Sequence, residues 1–477
     1  MAKQVIREGD EGVELIVRVP KQKKSKKARK QEQPSRSPVH VVYGGADRFT
    51  AATPRKLGDL AIAAMERYGG SFVEFANALG LPGAEDLSPF PDAVAGIERS
   101  ISESPDDVRR DNFAAWLAWA VHSRTLNKLR EEPVEDFRID FEDGYGFRPD
   151  EEEDADAERA ARELASAIPS GTSTPFCGFR IKSFAAETFG RAVRTLDIFL
   201  ESFIEASGGT VPENFVVNLP KITRRREVAE LCDHLKRIEK KAGLEVGTIG
   251  IELMIETPEA LIDPAGRFAP RRIVRAGKPR VRSVHFGAYD YTSAVGIAGD
   301  RQSLNHPACD FARQVMLTTL SPLGIRLSDS VTTKLPVPIH RGDSTTEAER
   351  QENWHAVHEG WREHFSNVNR SMSNGYYQSW DLHPNQLPAR YAAVYSFFLT
   401  GAESQARRLK GFIDKATQAV LSGNDFDDAA SAQGMLRYFS MALRCGALDG
   451  AEVERLTGLT AAEINGSSFM EIAGSRR

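Results

Sequence analysis

Residues 249–256 read Ile-Gly-Ile-Glu-Leu-Met-Ile-Glu, a mostly apolar run that ends in a carboxylate. A bounded apolar run of this length is typical of a buried β-strand. Longer amphipathic stretches lie on either side of it along the chain, at residues 224–242 and 310–320. Alternation of short strands with helices predicts β-α-β units and a parallel sheet.

The same alternation extends over most of the chain after Pro38. Eight runs have the composition of strands, at residues 39–43, 134–141, 176–182, 214–221, 248–256, 281–286, 324–331 and 375–381. Further helical stretches lie at residues 153–168, 186–206 and 346–369. Eight strands with interposed helices predict an α/β fold, a (β/α)8 TIM barrel, rather than an open sheet.

Three segments of the chain are additional to the eight strands and helices of a minimal barrel. Residues 57–130 have apolar residues at helical spacing and predict a helical insertion after the first strand, inside a barrel domain at 38–386. Residues 387–477 predict a C-terminal helical extension. Residues 1–37 predict a disordered basic leader, because seven of the ten residues 21–30 are basic and almost none is apolar. The alternative for this leader is a tail that binds nucleic acid or an anionic surface.

Composition excludes several classes of protein. The 477 residues include 62 basic and 67 acidic ones, a net charge of −5, which argues against broad binding of nucleic acid or membrane surfaces. The apolar stretches are too short to span a bilayer, and the N-terminus has no secretory signal. The cysteines are scattered without metal-binding spacing: Cys177, Cys232, Cys309 and Cys445. We therefore expect reduced thiols in a cytoplasmic protein with no membrane or nucleic-acid partner.

Acidic and basic residues stand where the predicted strands end. They are Asp140-Phe-Glu-Asp143, Arg180-Ile-Lys182, Lys221, Glu256, Asp290, Asp329 and Asp381-Leu-His383. In a TIM barrel the catalytic side chains come from the C-terminal ends of the strands and from the loops that follow them. Charged groups from six or seven strands would thus meet at one rim, which indicates an enzyme.

Glu256 and Asp290 are the clearest pair of candidate metal ligands on this rim, because each ends a largely apolar strand. Two carboxylates from adjacent strands suit Mg²⁺, which takes few protein carboxylates and completes its shell with other oxygens. Such a metal could polarise a carbonyl group and stabilise an enolate. The alternative is that the two acids cap helices or pair with surface lysines.

Arg180 suits the bidentate binding of a substrate carboxylate. Pairing of Arg180 with Glu142 or Asp143 is an alternative that does not exclude the first. The acidic run at residues 150–154 is interpreted as a solvated helix start, where negative charge favours the helix dipole. His355, His358 and His364 are interpreted as surface residues, since their spacing matches no zinc-protease motif.

Taken in order, the rim segments resemble the superfamily of the citrate lyase β-subunit and the HpaI-type aldolases, which has the phosphoenolpyruvate/pyruvate barrel. The segments are Asp140-Phe-Glu-Asp143, Arg180-Ile-Lys-Ser183, Leu219-Pro-Lys221, Ile255-Glu-Thr257, Phe286-Gly-Ala-Tyr-Asp290 and His383-Pro-Asn-Gln386. The resemblance covers Val39 to about Leu399. The first segment and the long helical C-terminus are also similar to malate synthase, a related barrel that condenses acetyl-CoA with glyoxylate.

The resemblance implies roles for seven rim residues. Glu256 and Asp290 match the Mg²⁺ (or Mn²⁺) ligands, Arg180 the arginine that holds the oxoacid carboxylate, Glu142 and Asp143 the acids that orient metal-bound water, Lys221 a lysine near the substrate, and His383 the histidine of the His-Pro pair. Two positions depart from the usual pattern. Lys182 stands where the superfamily has Asn, and Asp381 precedes the His-Pro pair.

These observations predict a Mg²⁺-dependent carbon–carbon lyase or aldolase for a small 2-oxo or hydroxy acid, free or as a CoA thioester, in a homo-oligomer. The general base is left open between metal-bound water, His383, Asp381 and a residue of a neighbouring subunit. Phosphoryl transfer on an enolpyruvate-like substrate and a malate-synthase-like condensation are alternatives among enzymes. A non-catalytic barrel that binds a metabolite is the alternative from another class.

Overall fold

The structure, a computed structural model, describes residues 36–342, 345–422 and 429–475, except for the side chains of residues 278, 417–422 and 429. The predicted leader thus lies outside the described residues, apart from its last two. Arg36 forms an ion pair with Glu135 at 3.0 Å. The N–H of Ser37 donates to the carbonyl oxygen of Arg444 at 2.9 Å. Arg36 and Ser37 are therefore packed against the rest of the chain, unlike the expectation from composition, because both find polar partners there.

Eight parallel strands close into a barrel, in which the first strand pairs with the second and with the last. The strands are β1 His40–Gly45, β2 Asp136–Asp140, β3 Phe176–Arg180, β4 Phe215–Leu219, β5 Gly250–Ile255, β6 Val281–Phe286, β7 Arg326–Val331 and β8 Gln378–Asp381. The predicted TIM barrel is confirmed, and each strand falls within or beside its predicted run.

The register of the strands decides which side chains become neighbours at the mouth. Asp140 at the end of β2 lies beside Arg180 at the end of β3. Ile255 of β5 pairs with Phe286 of β6, so the residues that follow them also come together. Because all strands run parallel, their C-terminal ends open on the same mouth.

Helices surround the barrel and extend it. In the described part they are α1 Thr53–Tyr68, α2 Phe72–Leu79, α3 Pro91–Glu103, α4 Pro105–Asp111, α5 Phe113–Glu131, α6 Asp150–Ala167, α7 Phe189–Ala206, α8 Arg225–Lys241, α9 Pro258–Leu261, α10 Pro270–Ala276, α11 Ala288–Ala294, α12 Pro307–Leu320, α13 Glu347–Ser373, α14 Leu387–Ser422, α15 Ala429–Arg444, α16 Gly450–Thr457, α17 Ala461–Gly466 and α18 Phe469–Ser475. None of the helices in these ranges is long and apolar enough to cross a bilayer.

The predicted insertion is the helical segment α1–α5, and the predicted extension is α14–α18. Helix α5 begins where the side chain of Asn112 accepts the N–H of Ala115 at 3.2 Å, a typical N-cap. Helix α5 then packs against α14. Buried residues of α5, such as Leu117 and Val121, belong to the same hydrophobic core as those of the barrel strands. The insertion and the extension are thus held to the barrel by one continuous core.

The interior of the barrel below the mouth is polar. Arg138 donates to both carboxylate oxygens of Glu252, at 2.9 and 2.8 Å, and also pairs with Asp136. The Ser283 hydroxyl donates to Glu252 at 2.5 Å, and His285 Nε2 lies 2.9 Å from the same carboxylate. All five side chains are buried. Each charge in this network has an opposite charge or a hydrogen bond beside it, as buried charges require.

Candidate active site

A cavity of about 310 Å³ opens at the C-terminal ends of the strands. Its lining includes four of the predicted site residues, namely Asp143, Arg180, Glu256 and Asp290. It also includes Asp140 and Asp381. The barrel therefore brings the main part of the predicted rim into one cavity, in the place where TIM barrels carry their active sites.

Asp140, which the sequence analysis did not single out, holds Arg180 in place. Nε and Nη2 of Arg180 donate to the two oxygens of Asp140, each at 2.6 Å. The same carboxylate accepts the backbone N–H groups of Glu142 at 3.0 Å and Gly144 at 2.7 Å. Arg180 is thus paired mainly with Asp140, because their register sets them side by side, and one edge of its guanidinium is already engaged.

The rest of the Arg180 guanidinium faces the cavity wall. Nη1 lies 3.1 Å from the carboxylate of Glu142. The ring centres of Tyr43 and Trp380 lie 4.9 and 5.9 Å from the guanidinium carbon. Burial acts to lower the pKa of Arg180. The charge of Asp140 and its hydrogen bonds outweigh this effect, so the pKa lies well above its usual value. Arg180 is therefore a permanent, buried positive charge at the cavity.

Glu142, Asp143 and Lys221 form a cluster beside Arg180. The Lys221 ammonium pairs with Glu142 and lies 2.8 Å from Asp143. Burial, together with the neighbouring Asp143, raises the pKa of Glu142 to about 7. Burial also acts to raise the pKa of Asp143, but hydrogen bonds with Glu142 and Lys221 lower that pKa below its usual value. The cluster can therefore hold and release a proton on Glu142 near neutral pH.

Glu256 is buried and Asp290 is exposed at the cavity mouth. Oε1 of Glu256 accepts the backbone N–H of Lys221 at 2.6 Å. Lys221 has a φ of +50°, while every other residue with positive φ in the described part of the chain is a glycine. That strained backbone aims the N–H at Glu256. A Cβ added at Gly287 would clash with Oε2 of Glu256, so only glycine fits beside this carboxylate.

Neither Glu256 nor Asp290 forms an ion pair with a described residue. Burial, and then the charge of Asp290, raise the pKa of Glu256 to about 8. Burial also raises the pKa of Asp290, although the charge of Arg180 acts to lower the pKa of both carboxyl groups. Within the described residues no group of three or more His, Cys, Asp or Glu side chains could hold a metal alone. Two carboxylates of this kind nevertheless fit Mg²⁺ or Mn²⁺, which take most of their oxygen ligands from water and substrate.

Asp381 lines the cavity but is bound on all sides. Arg390 donates to it at 2.8 Å, and nitrogens of His40 and His364 lie 2.7 and 2.8 Å from its oxygens. Burial acts to raise the pKa of Asp381, but Arg390 and the two histidines lower that pKa well below its usual value. Asp381 is thus a poor candidate for the general base. His364, predicted at the surface, is buried in this network, while His355 is exposed as predicted.

His383 lies outside the lining of the cavity. Its Nδ1 accepts the N–H of Asn385 at 3.1 Å, and its own N–H donates to the side chain of Gln386 at 3.2 Å. This arrangement caps the short 3₁₀ turn at residues 384–386. The structure therefore gives His383 a capping role and does not bring its ring to the other rim residues.

Two further rim residues turn away from the cavity. The Lys182 ammonium is buried and donates to Glu153 at 2.6 Å. Glu153, predicted as part of a solvated helix start, is therefore buried with a partner of opposite charge. Asp329 accepts from Nε of Arg313 on α12 at 2.9 Å. Lys182 turns away because β3 ends at Arg180, so its alternation does not continue to residue 182, whereas Asp329 lies within β7 and points toward Arg313 on α12.

One wall of the cavity is apolar. Tyr43 and Trp380 stack with their ring centres 4.3 Å apart. Met254 and Val331 complete this wall, and Tyr289 packs against them. The sequence analysis missed these residues. Their only signal is that they lie at or near strand ends, as the charged rim residues do.

The fold and the site define a TIM barrel with an acid-lined cavity at its C-terminal mouth. The chain belongs to the family described as "Domain of unknown function (DUF6986)", whose model matches residues 20–472. No curated protein sequence matches the chain.

Several solved structures are similar to the chain. A citrate lyase from Burkholderia xenovorans LB400 is 20% identical, with a TM-score of 0.47, over 70% of this chain and 92% of that one. A magnesium/glyoxylate complex of Haloferax volcanii malate synthase is 16% identical, with a TM-score of 0.40, over 71% and 88%. An HpcH/HpaI aldolase/citrate lyase family protein from Burkholderia cenocepacia J2315 is 12% identical, with a TM-score of 0.33, over 61% and 89%. These are the groups that the sequence motifs resemble.

Proposed function

We propose that the protein is a carbon–carbon lyase of the aldolase type, dependent on Mg²⁺ or Mn²⁺, for a small 2-oxo or hydroxy acid. One observation carries this proposal: a buried, permanently charged Arg180 lines the same cavity as two carboxylates, Glu256 and Asp290, that form no ion pair with a described residue. A 2-oxo acid has oxygens that can bind both an arginine and a divalent cation.

Arg180 would bind the substrate carboxylate. Because Asp140 engages Nε and Nη2, the nitrogen left for the substrate is Nη1, in exchange with Glu142. Asp140 would thereby orient the guanidinium before substrate arrives, and such preorganisation lowers the cost of binding. The sequence predicts bidentate binding of the substrate carboxylate by Arg180, but only Nη1 would be available to it.

Glu256 and Asp290 would hold the metal. A bound Mg²⁺ would polarise the carbonyl group and stabilise the negative charge that develops on its oxygen. Lys221 would fix the Glu256 carboxylate through its backbone N–H and the Glu142–Asp143 pair through its ammonium. Proton transfer is assigned to Glu142 and Asp143, since a pKa of about 7 suits a group that must both take and return a proton. The CoA thioester, the homo-oligomer and the cytoplasmic location stay predictions.

The test is Mg²⁺-dependent release of pyruvate or glyoxylate from a panel of hydroxy-oxo acids and their CoA thioesters. A parallel ³¹P NMR experiment would detect transfer of phosphate to or from an enolpyruvate. Release that needs the metal supports the lyase, and a phosphorus product would replace it by the phosphoryl-transfer alternative. Neither product, with tight binding of an oxoacid, would favour the non-catalytic barrel.

The metal site is tested separately by calorimetric titration of Mg²⁺ and Mn²⁺. Glu256→Gln and Asp290→Asn should each weaken binding roughly tenfold or more, while the fold persists. Asp300→Asn is the matched control, because Asp300 is exposed and pairs only with its neighbour Arg301. Unchanged affinity in both cavity variants would rule out this site.

A further inference from the structure

We propose that a second cavity, of about 290 Å³, binds a small organic anion with a flat apolar portion. It lies between the helical insertion and the C-terminal extension, since α4 and α5 form one side and α16 the other. Its lining includes Arg109, Trp116, Trp119, Arg124 and Arg455. None of these residues belongs to the cavity at the barrel mouth, so the site is independent of the proposed lyase activity.

Arg109 is a buried cation whose hydrogen-bonding capacity is largely unused. Its side chain is 7% exposed, and its Nη2 has no hydrogen-bond partner among the described residues. Its Nε lies 2.9 Å from a carboxylate oxygen of Glu403, a residue that is itself 46% exposed. The guanidinium lies 4.3 Å from the ring centre of Trp116. A buried donor left without an acceptor is costly, so an acceptor bound at this guanidinium would be favourable.

The buried arginines of the barrel make the contrast clear. Arg138 and Arg180 each donate twice to one carboxylate within hydrogen-bonding distance. Arg390 is likewise matched by Asp381. Arg109 has the same burial without such a partner. Among the described arginines that are no more than 7% exposed, Arg109 alone has a buried nitrogen without a hydrogen-bond partner, which points to a ligand there.

The charges around the cavity favour an anion. Three arginines and two carboxylates line it: Arg109, Arg124, Arg455, Asp106 and Glu452. Arg124 is neutralised by Glu452 and also donates to a backbone carbonyl at 2.7 Å. Arg455 and Asp106 are 3.9 Å apart and more than half exposed, which sets them at the mouth. Arg109 pairs at Nε with Glu403, which is 46% exposed and lies outside the lining, so within the lining the positive groups exceed the negative ones by one.

The indole side chains in the lining indicate the second chemical feature of the ligand. Trp116 is buried and Trp119 half-buried, and both line the cavity. Indole faces favour flat, apolar groups, and the volume lies at the lower limit for small-molecule sites. An aryl or similarly flat carboxylate or phosphate monoester matches this combination. A carboxylate and a phosphate share the chemistry that Arg109 recognises, and titration distinguishes them.

Calorimetric titration of the full chain with benzoate, phenyl phosphate, inorganic phosphate and benzyl alcohol tests the proposal. Benzoate or phenyl phosphate should bind saturably, and the uncharged alcohol at least about tenfold more weakly. Arg109→Gln should weaken aryl-anion binding by on the order of tenfold or more. Arg110→Gln is the matched control: it lies on the same helix, is 67% exposed, and should bind as the wild type does.

A second pair of variants keeps the test valid if Arg109→Gln does not fold by thermal melting. Arg109→Lys retains the charge, and Trp119→Ala should weaken the aryl anions more than inorganic phosphate. Glu256→Gln should leave binding unchanged, which separates this cavity from the barrel mouth. The proposal is overturned if the wild type binds neither aryl anion saturably, if Arg109→Gln binds them equally well, or if Glu256→Gln abolishes binding.

Discussion

Two carboxylates on one strand have opposite properties. Glu252 lies within β5, and Glu256 follows its end, four residues on, so both point to the same side. Burial acts to raise the pKa of Glu252, but Arg138 and His285 lower that pKa well below its usual value. The pKa of Glu256 is raised to about 8. The difference is that the chain supplies cations in the interior and too few at the mouth, where a bound metal ion would have to supply the positive charge.

The largest expected effect comes from removing the interior cation. Arg138→Leu removes the arginine that pairs with both Glu252 and Asp136, and should lower the free energy of unfolding by roughly 3–5 kcal/mol. Urea denaturation at neutral pH measures it. The double variant with Glu252→Gln should recover part of the loss. A loss below about 1 kcal/mol would mean that the interior network is not held together by charge pairing.

Arg180 lies at the mouth, where it pairs with Asp140 and faces the ring of Tyr43, a residue that also contacts Glu252 of the interior. Arg180→Lys keeps the charge but loses the two-point pairing with Asp140, so kcat/KM should fall by roughly 2–4 kcal/mol in free energy. A smaller loss of thermal stability should accompany it. Titration with pyruvate, oxaloacetate and glyoxylate in Mg²⁺, beside a thermal melt, separates the two effects. A variant that melts lower and binds these acids normally would give Arg180 a structural role only.

Metal-free protein should lose stability as pH rises, because of Glu256. The folded chain holds the Glu256 proton up to a pKa of about 8, whereas an unfolded glutamate releases it near 4.5. The stabilisation from this proton is complete below about pH 4.5 and disappears as pH passes 8. Glu256→Gln cannot titrate, so between pH 5 and pH 8 it should gain at least about 1.4 kcal/mol relative to the wild type.

Urea unfolding of both proteins at the two pH values measures this gain, and added Mg²⁺ should reduce it by stabilising the carboxylate. An equal difference between wild type and variant at pH 5 and pH 8 would contradict the raised pKa.

The smallest change in the free energy of unfolding is expected for exposed ion pairs. These have their counter-ion, but they lie in solvent and not in the buried interior. Arg226 and Glu230 lie 2.8 Å apart on α8, and Arg226 is 84% exposed. Arg226→Ala should change the free energy of unfolding by less than about 0.5 kcal/mol, since solvent and salt screen such pairs. A larger loss would show that charge pairing alone does not distinguish the two buried regions.

The fold could be predicted because its signal is repeated. Each strand is a short run of apolar or β-branched residues, and eight such runs separated by helices leave few other closed sheets. The convergence of Arg180, Glu256 and Asp290 could be predicted for the same reason, since parallel strands end at one mouth. These predictions need the order of the elements and no side-chain detail.

Pairing across long sequence distances could not be predicted. Asp381 is matched by His40, His364 and Arg390, and only the closed barrel brings His40 to it. His383 follows two residues later and caps a turn instead of facing the cavity. The sequence pattern places Asp140 on the predicted rim without a role of its own. Strand alternation sets it on the same side as Arg138, so a contact with the neighbouring strand end could have been predicted.

The glycine at position 287 changes how relatives of this chain should be searched for the site. Backbone and carboxylate are in contact there, so any side chain at 287 would displace Glu256 from its position beside the Lys221 N–H. A sequence can therefore keep both acids and still lack this geometry. Glycine at 287 is a stricter marker of the proposed metal site than the two carboxylates, although it contributes no ligand atom.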